Sequence, residues 1–318
     1  MRLLSFVLAA AVSSSALAAA PTEQPRLHNL GMVFTEGWDA NKDKPAAEQV
    51  AAFKARVAPA FPGFYSAERL KNRFTPAQYD GAIEGAIKEF PTLRPAYEKK
   101  AQEFESALPK YVATFKTRFP DFALPEDIYV LHSLGEMDGG IRTIDGKSYF
   151  IFGVDVMAKF HGDGSESAFF HHELFHVYHS QAAPDCGDAR IWNNLWTEGL
   201  AVYVSKVMNP DAGDKELLLD VPEHMAERTR AILPQALAQL ESVLDKNDNQ
   251  TYTDLFSRHG DAGELPHRRG YYLGYLVAQE AGRTRDIRDL AKLNCSQVKE
   301  TVFSGVRALR VKYPVTGS

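Results

Sequence analysis

Two histidines four residues apart bracket a glutamate in the stretch His172-Glu173-Leu174-Phe175-His176. On a helix, residues four apart share a face, so both imidazoles can point at one divalent ion. Glu173 projects beside that face, where its carboxylate can take a proton from a water held at the ion. The chain carries ten histidines in 318 residues, and roughly a few such chains per hundred show this HExxH pattern by chance. The surroundings must therefore decide.

They read as helix. Asp163-Gly164-Ser165-Glu166 offers an N-cap with a carboxylate three residues on, Ser167 to Ser180 holds neither Pro nor Gly, and Pro184 and Gly187 stop the run. Phe169, His172 and His176 form one stripe, with Phe170, Leu174 and Val177 on a neighbouring apolar one. A buried helix with backbone-bonded histidines is the competing reading, but it gives Glu173 no role. Two His and a carboxylate make zinc the default ion, one per chain, and catalytic zinc takes three protein ligands and keeps one position open. The longer HExxHxxGxxH pattern fails, because His179 and Ala182 stand where Gly and His are required. Glu198 is the better third ligand. It lies in Asn193-Asn194-Leu195-Trp196-Thr197-Glu198-Gly199-Leu200-Ala201-Val202-Tyr203, a segment with a helical apolar pattern through Val207 that either Asn can cap. A carboxylate among Trp196, Leu200 and Ala201 is costly unless something pairs with it.

At these residues the chain resembles the gluzincin class of zinc peptidases, in which HExxH and a downstream Glu share one ion. Trp196 to Tyr203 looks like the WxEGxAxY helix of predicted secreted zinc-dependent proteases, and Arg269-Gly270-Tyr271-Tyr272-Leu273-Gly274-Tyr275 is similar to their GYxxGY helix. The resemblance covers roughly residues 125 to 280, with HExxH its most specific part. It implies a zincin-like core, a small sheet followed by the HExxH helix and a glutamate helix, and hydrolysis of peptide bonds in a peptide or protein substrate. The GxMEN motif of the large aminopeptidases of this class is missing. Gly135-Glu136-Met137-Asp138-Gly139 is the nearest match and lacks the Glu-Asn pair, so endo- and exopeptidase action both stay open. A catalytically silent relative that only binds zinc or peptide is the alternative, since a fold does not guarantee turnover.

Peptide hydrolysis of this kind also needs a donor for the developing oxyanion, supplied from the opposite lobe. His267, Arg268, Arg269, Tyr271 and Tyr272 cluster in a suitable part of the chain, and Tyr271 or Tyr272 is the choice. Packing is an equal reading, because Gly270 and Gly274, four apart, permit a close helix contact that the tyrosines could simply fill. His171 and His179 read as structural or rim residues.

The elements that must position these groups make an α+β chain, predominantly helical. The expected organisation is a signal peptide over 1–20, a helical N-terminal region over 21–120, the catalytic core over 121–210 and a helical C-terminal lobe over 211–318. Met1-Arg2, an apolar run to Val12 and Ala16-Leu17-Ala18 have the form of a secretory leader too short to span a bilayer. They predict a secreted or periplasmic protein without a membrane anchor after cleavage. Helices are expected over Gln49–Phe61, Pro76–Phe90, Arg94–Phe119 (kinked at Pro109), Val221–Leu244 (broken near Pro234), Asp254–His259, His267–Ala281 and Cys295–Val311. Strands are expected at Ile128–Leu131, Ile141–Ile144 and Ser148–Phe152, with Asp145-Gly146 as a hairpin turn. Asn209–Glu216 and Lys246–Thr253 read as polar loops. Cys186 and Cys295 could form a bridge in an oxidising compartment or remain two thiols. The formal charge of −5 gives no sign of a nucleic-acid groove. Oligomeric state leaves no mark on the sequence.

Overall fold

Short β-branched and aromatic runs assemble one mixed sheet. Strands β1 (Arg26–Asn29), β2 (Asp127–Leu131) and β4 (Lys147–Gly153) are parallel, and β3 (Ile141–Ile144) runs antiparallel to β4, in the order β1-β2-β4-β3. The computed structural model describes residues 25–71, 74–162, 165–258 and 264–315. The expected leader, Asp163 and Gly164 of the expected cap, and His259 lie outside them. Among the described residues no strand pairs with the outer edge of β3. The β3–β4 hairpin forms as its sequence requires. Ile144 pairs with Lys147, and Asp145 and Gly146 take φ of +51° and +78°, the left-handed conformations a two-residue turn demands. Strand β1 was not expected, since Arg-Leu-His-Asn is short and polar. Its anchor is distant in sequence: buried Asp127 accepts Arg26 Nε at 2.8 Å and lies 3.1 Å from the His28 ring.

Helices surround the sheet: α1 (Gly31–Asp39), α2 (Ala46–Arg56), α3 (Pro76–Lys116), α4 (Val154–Phe160), α5 (Ser167–Ala182), α6 (Ile191–Met208), α7 (Met225–Ala231), α8 (Leu233–Val243), α9 (Asn249–Phe256), α10 (Arg269–Ala281), α11 (Ile287–Leu290) and α12 (Cys295–Lys312). The chain is thus predominantly helical with a small mixed sheet. No helix of the described residues is long and apolar enough to cross a membrane.

Several expectations are corrected. The two helices read over 76–119 are one 41-residue helix, α3, with Pro91, Pro95 and Pro109 inside it. Each proline costs its helix about 3 kcal/mol in isolation. All three lie on the solvent side, however, while Phe90, Tyr97, Ala101, Phe104, Leu108 and Phe115 are buried on the other face. Packing of that face outweighs the local breaks. The segment read as a loop over 246–253 contains the start of α9, whose N-cap Asp248 accepts the Thr251 amide at 2.8 Å. Over 221–244 the helix starts only at Met225, while the expected break near Pro234 is present, at Ile232. Glu166 is the N-cap residue of α5, not its third residue, and its carboxylate pairs with Lys100 at 2.7 Å instead of capping. Asn193 and Asn194 sit inside the first turn of α6 and donate back to the carbonyls of Asp188 and Ala189, while Arg190 holds the cap position.

Cys186 and Cys295 form a disulfide between the loop after α5 and the first residue of α12. It spans 109 residues of chain, and cross-links of that reach stabilise by about 2–4 kcal/mol, mainly by restricting the unfolded chain. The Cys186→Ser/Cys295→Ser double variant is therefore expected to unfold several degrees below the wild type. Thermal denaturation checks this, and addition of a thiol reductant should bring the wild type down to the variant.

Candidate metal centre

The HExxH helix α5 is buried on most sides, with Phe169, Phe170, Leu174, Phe175, Val177 and Tyr178 inside, because it lies between α3, the sheet and α6. That packing fixes its rotation and turns the stripe carrying His172 and His176 toward a cavity of about 670 Å³. Helix α6 returns alongside and brings Glu198 to the same point. His172 Nε2 and His176 Nε2 are 3.0 Å apart, and Glu198 Oε2 lies 3.5 and 3.3 Å from them. Ligands roughly 2.05 Å from a tetrahedral ion stand roughly 3.3 Å from one another, so the three atoms already have the spacing of one metal's ligand set. These residues could hold a metal ion.

The electrostatics agree. Burial alone would raise the Glu198 carboxyl, but the two imidazoles hold it well below the usual carboxylate range. For His176, burial opposes the charged form, yet Glu198 and Glu173 push the ring up to about 9. Burial dominates at His172 and lowers it. Two imidazole nitrogens and a carboxylate are a donor set that suits zinc.

Glu173 is buried beside this set, and its burial, with Asp138 and Glu198 nearby, pushes its carboxyl up to about 8 against the pull of His176. It rests on the bare backbone of the turn before β3. A Cβ at Gly139 would stand 2.6 Å from Glu173 Cγ and 3.1 Å from Oε2. The turn is held from beneath: Asp155 accepts the amides of Ser133 and Gly135 at 2.6 and 2.7 Å, and Gly153 N donates to Asp138 O at 2.9 Å. Asp138 itself accepts Arg258 Nη2 at 2.8 Å and lies 3.3 Å from His161 Nε2. Although burial opposes its charge, the His161 hydrogen bond and the Arg258 guanidinium keep the Asp138 carboxyl far below its ordinary value.

Of the two tyrosines expected to serve as donor, one reaches the cavity. Tyr271 lines it with its ring centroid 6.4 Å from that of His172, and burial raises its hydroxyl well above 10, so it keeps its proton. Tyr272 points elsewhere and accepts Arg230 Nε at 3.2 Å. Both readings of the paired glycines hold, because packing is what places Tyr271. A Cβ at Gly199 would lie 2.1 Å from the Gly274 carbonyl carbon, and one at Gly274 would lie 2.4 Å from Leu195 O. The α6–α10 crossing therefore has room for hydrogen alone at both positions, and it seats Tyr271 opposite Glu198.

His171 is fully buried on the far side of α5, with Nδ1 2.9 Å from Asn209 Nδ2, and desolvation lowers it to about 4. His179 stacks on Phe175. Asp185 and Asp188, near the ligands in sequence, accept amides of their own turn. The sequence reading gave no role to Arg142 or Asp138 and left Arg268 in a cluster without an assignment, yet all three line the cavity. Gly135 to Gly139 lines it too, although the aminopeptidase motif is absent there. No family model, curated protein or solved structure matches the chain, so the functional reading rests on this geometry.

Proposed function

We propose that this chain is a zinc-dependent peptidase of gluzincin type, with His172, His176 and Glu198 as ligands of one zinc ion and Glu173 as general base. The observation that carries the reading is the spacing of the three ligating atoms with the buried Glu173 carboxyl group beside them in a cavity. A zinc ion bound there supplies Lewis acidity toward a water and a substrate carbonyl. The remaining work falls to side chains. Glu173, buried beside the ligand set, accepts the water's proton and returns it to the leaving amine. Tyr271 stays protonated and is the hydroxyl available to a developing oxyanion. Strand β3 ends the sheet next to the cavity with its outer edge unpaired among the described residues, which suits an extended peptide added as a further strand. In this reading the sheet, α5 and α6 form a zincin-like core. The Cys186–Cys295 bridge supports an oxidising, secreted or periplasmic setting.

Glu173→Gln tests the proposal, because it keeps the shape of the side chain and removes the base. Hydrolysis of a mixed peptide library should fall at least about a thousandfold, at the upper end of what a general base contributes, while zinc content stays at the wild-type level. A wild-type protein that carries zinc and cleaves nothing in the library would favour a binding role.

A further inference from the structure

Four arginines line the cavity among the described residues, and three of them are paired with a carboxylate there. Arg69 and Arg142 bond Glu136, and Arg258 bonds Asp138. Arg268 is different. It is 5% exposed, it caps α10 in the left-handed conformation at φ +63°, and it forms no ion pair with a carboxylate among the described residues. Its Nη1 donates to the carbonyls of Leu218 and Val221, and its guanidinium lies over the Tyr271 ring, with Cζ 3.9 Å from the centroid. Those contacts occupy one end and one face of the group. The Nε and Nη2 donors, which form the side-on edge of the fork, carry no hydrogen bond to any described residue. Its charge reaches Tyr271, His172 and Asp138, yet Asp138 is already bonded to Arg258 and His161. A buried guanidinium is expensive to desolvate and is ordinarily paired. Here the pairing edge is left free on the wall of a cavity, beside the metal ligands.

We propose that Arg268 is a specificity-determining residue that takes a carboxylate of the substrate, side-on and bidentate, so that the cavity selects peptides bearing a carboxylate next to the scissile bond. The fork of an arginine matches carboxylate geometry, and its planar face against Tyr271 fixes its orientation before substrate arrives. This rests on the peptidase reading for the nature of the substrate, but not on turnover. The carboxylate has two possible sources in a peptide, an Asp or Glu side chain or the free C-terminus, and the same edge would accept either.

Zinc-loaded Glu173→Gln protein allows binding to be read without cleavage, by fluorescence titration with three probes: dansyl-Ala-Phe-Ala-Ala as the free acid, the same peptide as its C-terminal amide, and dansyl-Ala-Phe-Glu-Ala amide. Tighter binding of the free acid or of the glutamyl amide than of the neutral amide, by about tenfold to a hundredfold, is expected for one charge-assisted pair. Whichever carboxylate probe wins identifies the source. Adding Arg268→Met, which keeps an aliphatic stem and removes the guanidinium, should abolish the preference for the carboxylate probes over the neutral amide, and Arg268→Lys should keep part of it. Zinc content and thermal unfolding check that each variant is folded; should Arg268→Met not fold, the lysine variant and the three-probe comparison decide. Equal affinity for all three probes, no measurable binding of any, or a preference that survives loss of the guanidinium would overturn the assignment. Selective binding of carboxylate probes by a protein whose Glu173 form cleaves no peptide would sink the peptidase reading and leave Arg268's role standing. Equal cleavage of acid and amide would do the reverse.

Discussion

Alanine at His176 or at Glu198 is expected to empty the metal site. Purified wild-type protein should carry about one zinc per chain by elemental analysis, since in the proposed site the three side chains would supply a complete set of protein ligands for a catalytic ion. Loss of even an outer partner of a zinc ligand weakens binding about 10–100-fold, so loss of a ligand itself should exceed that. Each variant should then fall to a small fraction of the wild-type content and lose peptide hydrolysis with it. His179→Ala is the matched control: it lies on the same helix, stacked on Phe175 and outside the ligand set, and should retain the ion. Zinc retained in both ligand variants would place the metal elsewhere and remove the basis of the proposed function. Zinc lost from His176→Ala alone would leave the helix in place and exclude Glu198 as third ligand.

The second large effect is expected from a methyl group. Gly199→Ala would drive its Cβ into the backbone of Gly274, 2.1 Å from the carbonyl carbon and 2.4 Å from Cα. Backbone cannot rotate aside as a side chain can, so α6 and α10 must separate. Overpacking costs about 1–3 kcal/mol in ordinary cores, and this contact belongs at the upper end. Separation also moves Glu198, the neighbour of Gly199, away from the imidazoles, so zinc affinity should fall together with the unfolding temperature. Gly85→Ala in α3 provides the contrast. Nothing lies within 4 Å of its added Cβ, and alanine there should stabilise the helix by about 0.5–1 kcal/mol. Thermal unfolding of the two variants side by side checks both signs. Zinc affinity unchanged in a destabilised Gly199→Ala protein would mean that the crossing supports the fold and not the ligand.

Much of the site was legible because its chemistry is written locally. The four-residue spacing of His172 and His176, the Asp145-Gly146 turn and a glutamate amid apolar neighbours each depend on a few consecutive residues. Choosing Tyr271 over Tyr272 was beyond reach for the opposite reason. Adjacent positions on a helix differ by about 100°, and only the meeting of Gly199 with Gly274 decides which ring faces the cavity. The same crossing gives a physical cause for both glycine-containing motifs, which sequence treats as separate. Arg268 was invisible as a cavity residue because it reaches its place through partners far along the chain, Leu218 and Val221. Strand β1 likewise depends on Asp127, about a hundred residues away. The continuity of α3 was misread because three prolines argue locally for breaks, whereas the buried face argues for one helix only once its partners are known. The start of α9 had a signal that went unused, since Asp248 followed three residues later by Thr251 is a cap pattern.

The Cys186–Cys295 bridge also has a topological consequence. It closes a covalent ring that contains Glu198, Gly274, Tyr271 and Arg268 but leaves His172 and His176 on the chain leading into it. A single backbone cut anywhere inside the ring, for instance in the polar connection after α6, would separate no piece from the rest. Both halves of the metal site would remain tethered, and the nick would show only after reduction. If the cleft cuts peptides as proposed, such a connection could be severed once by another copy without the molecule coming apart.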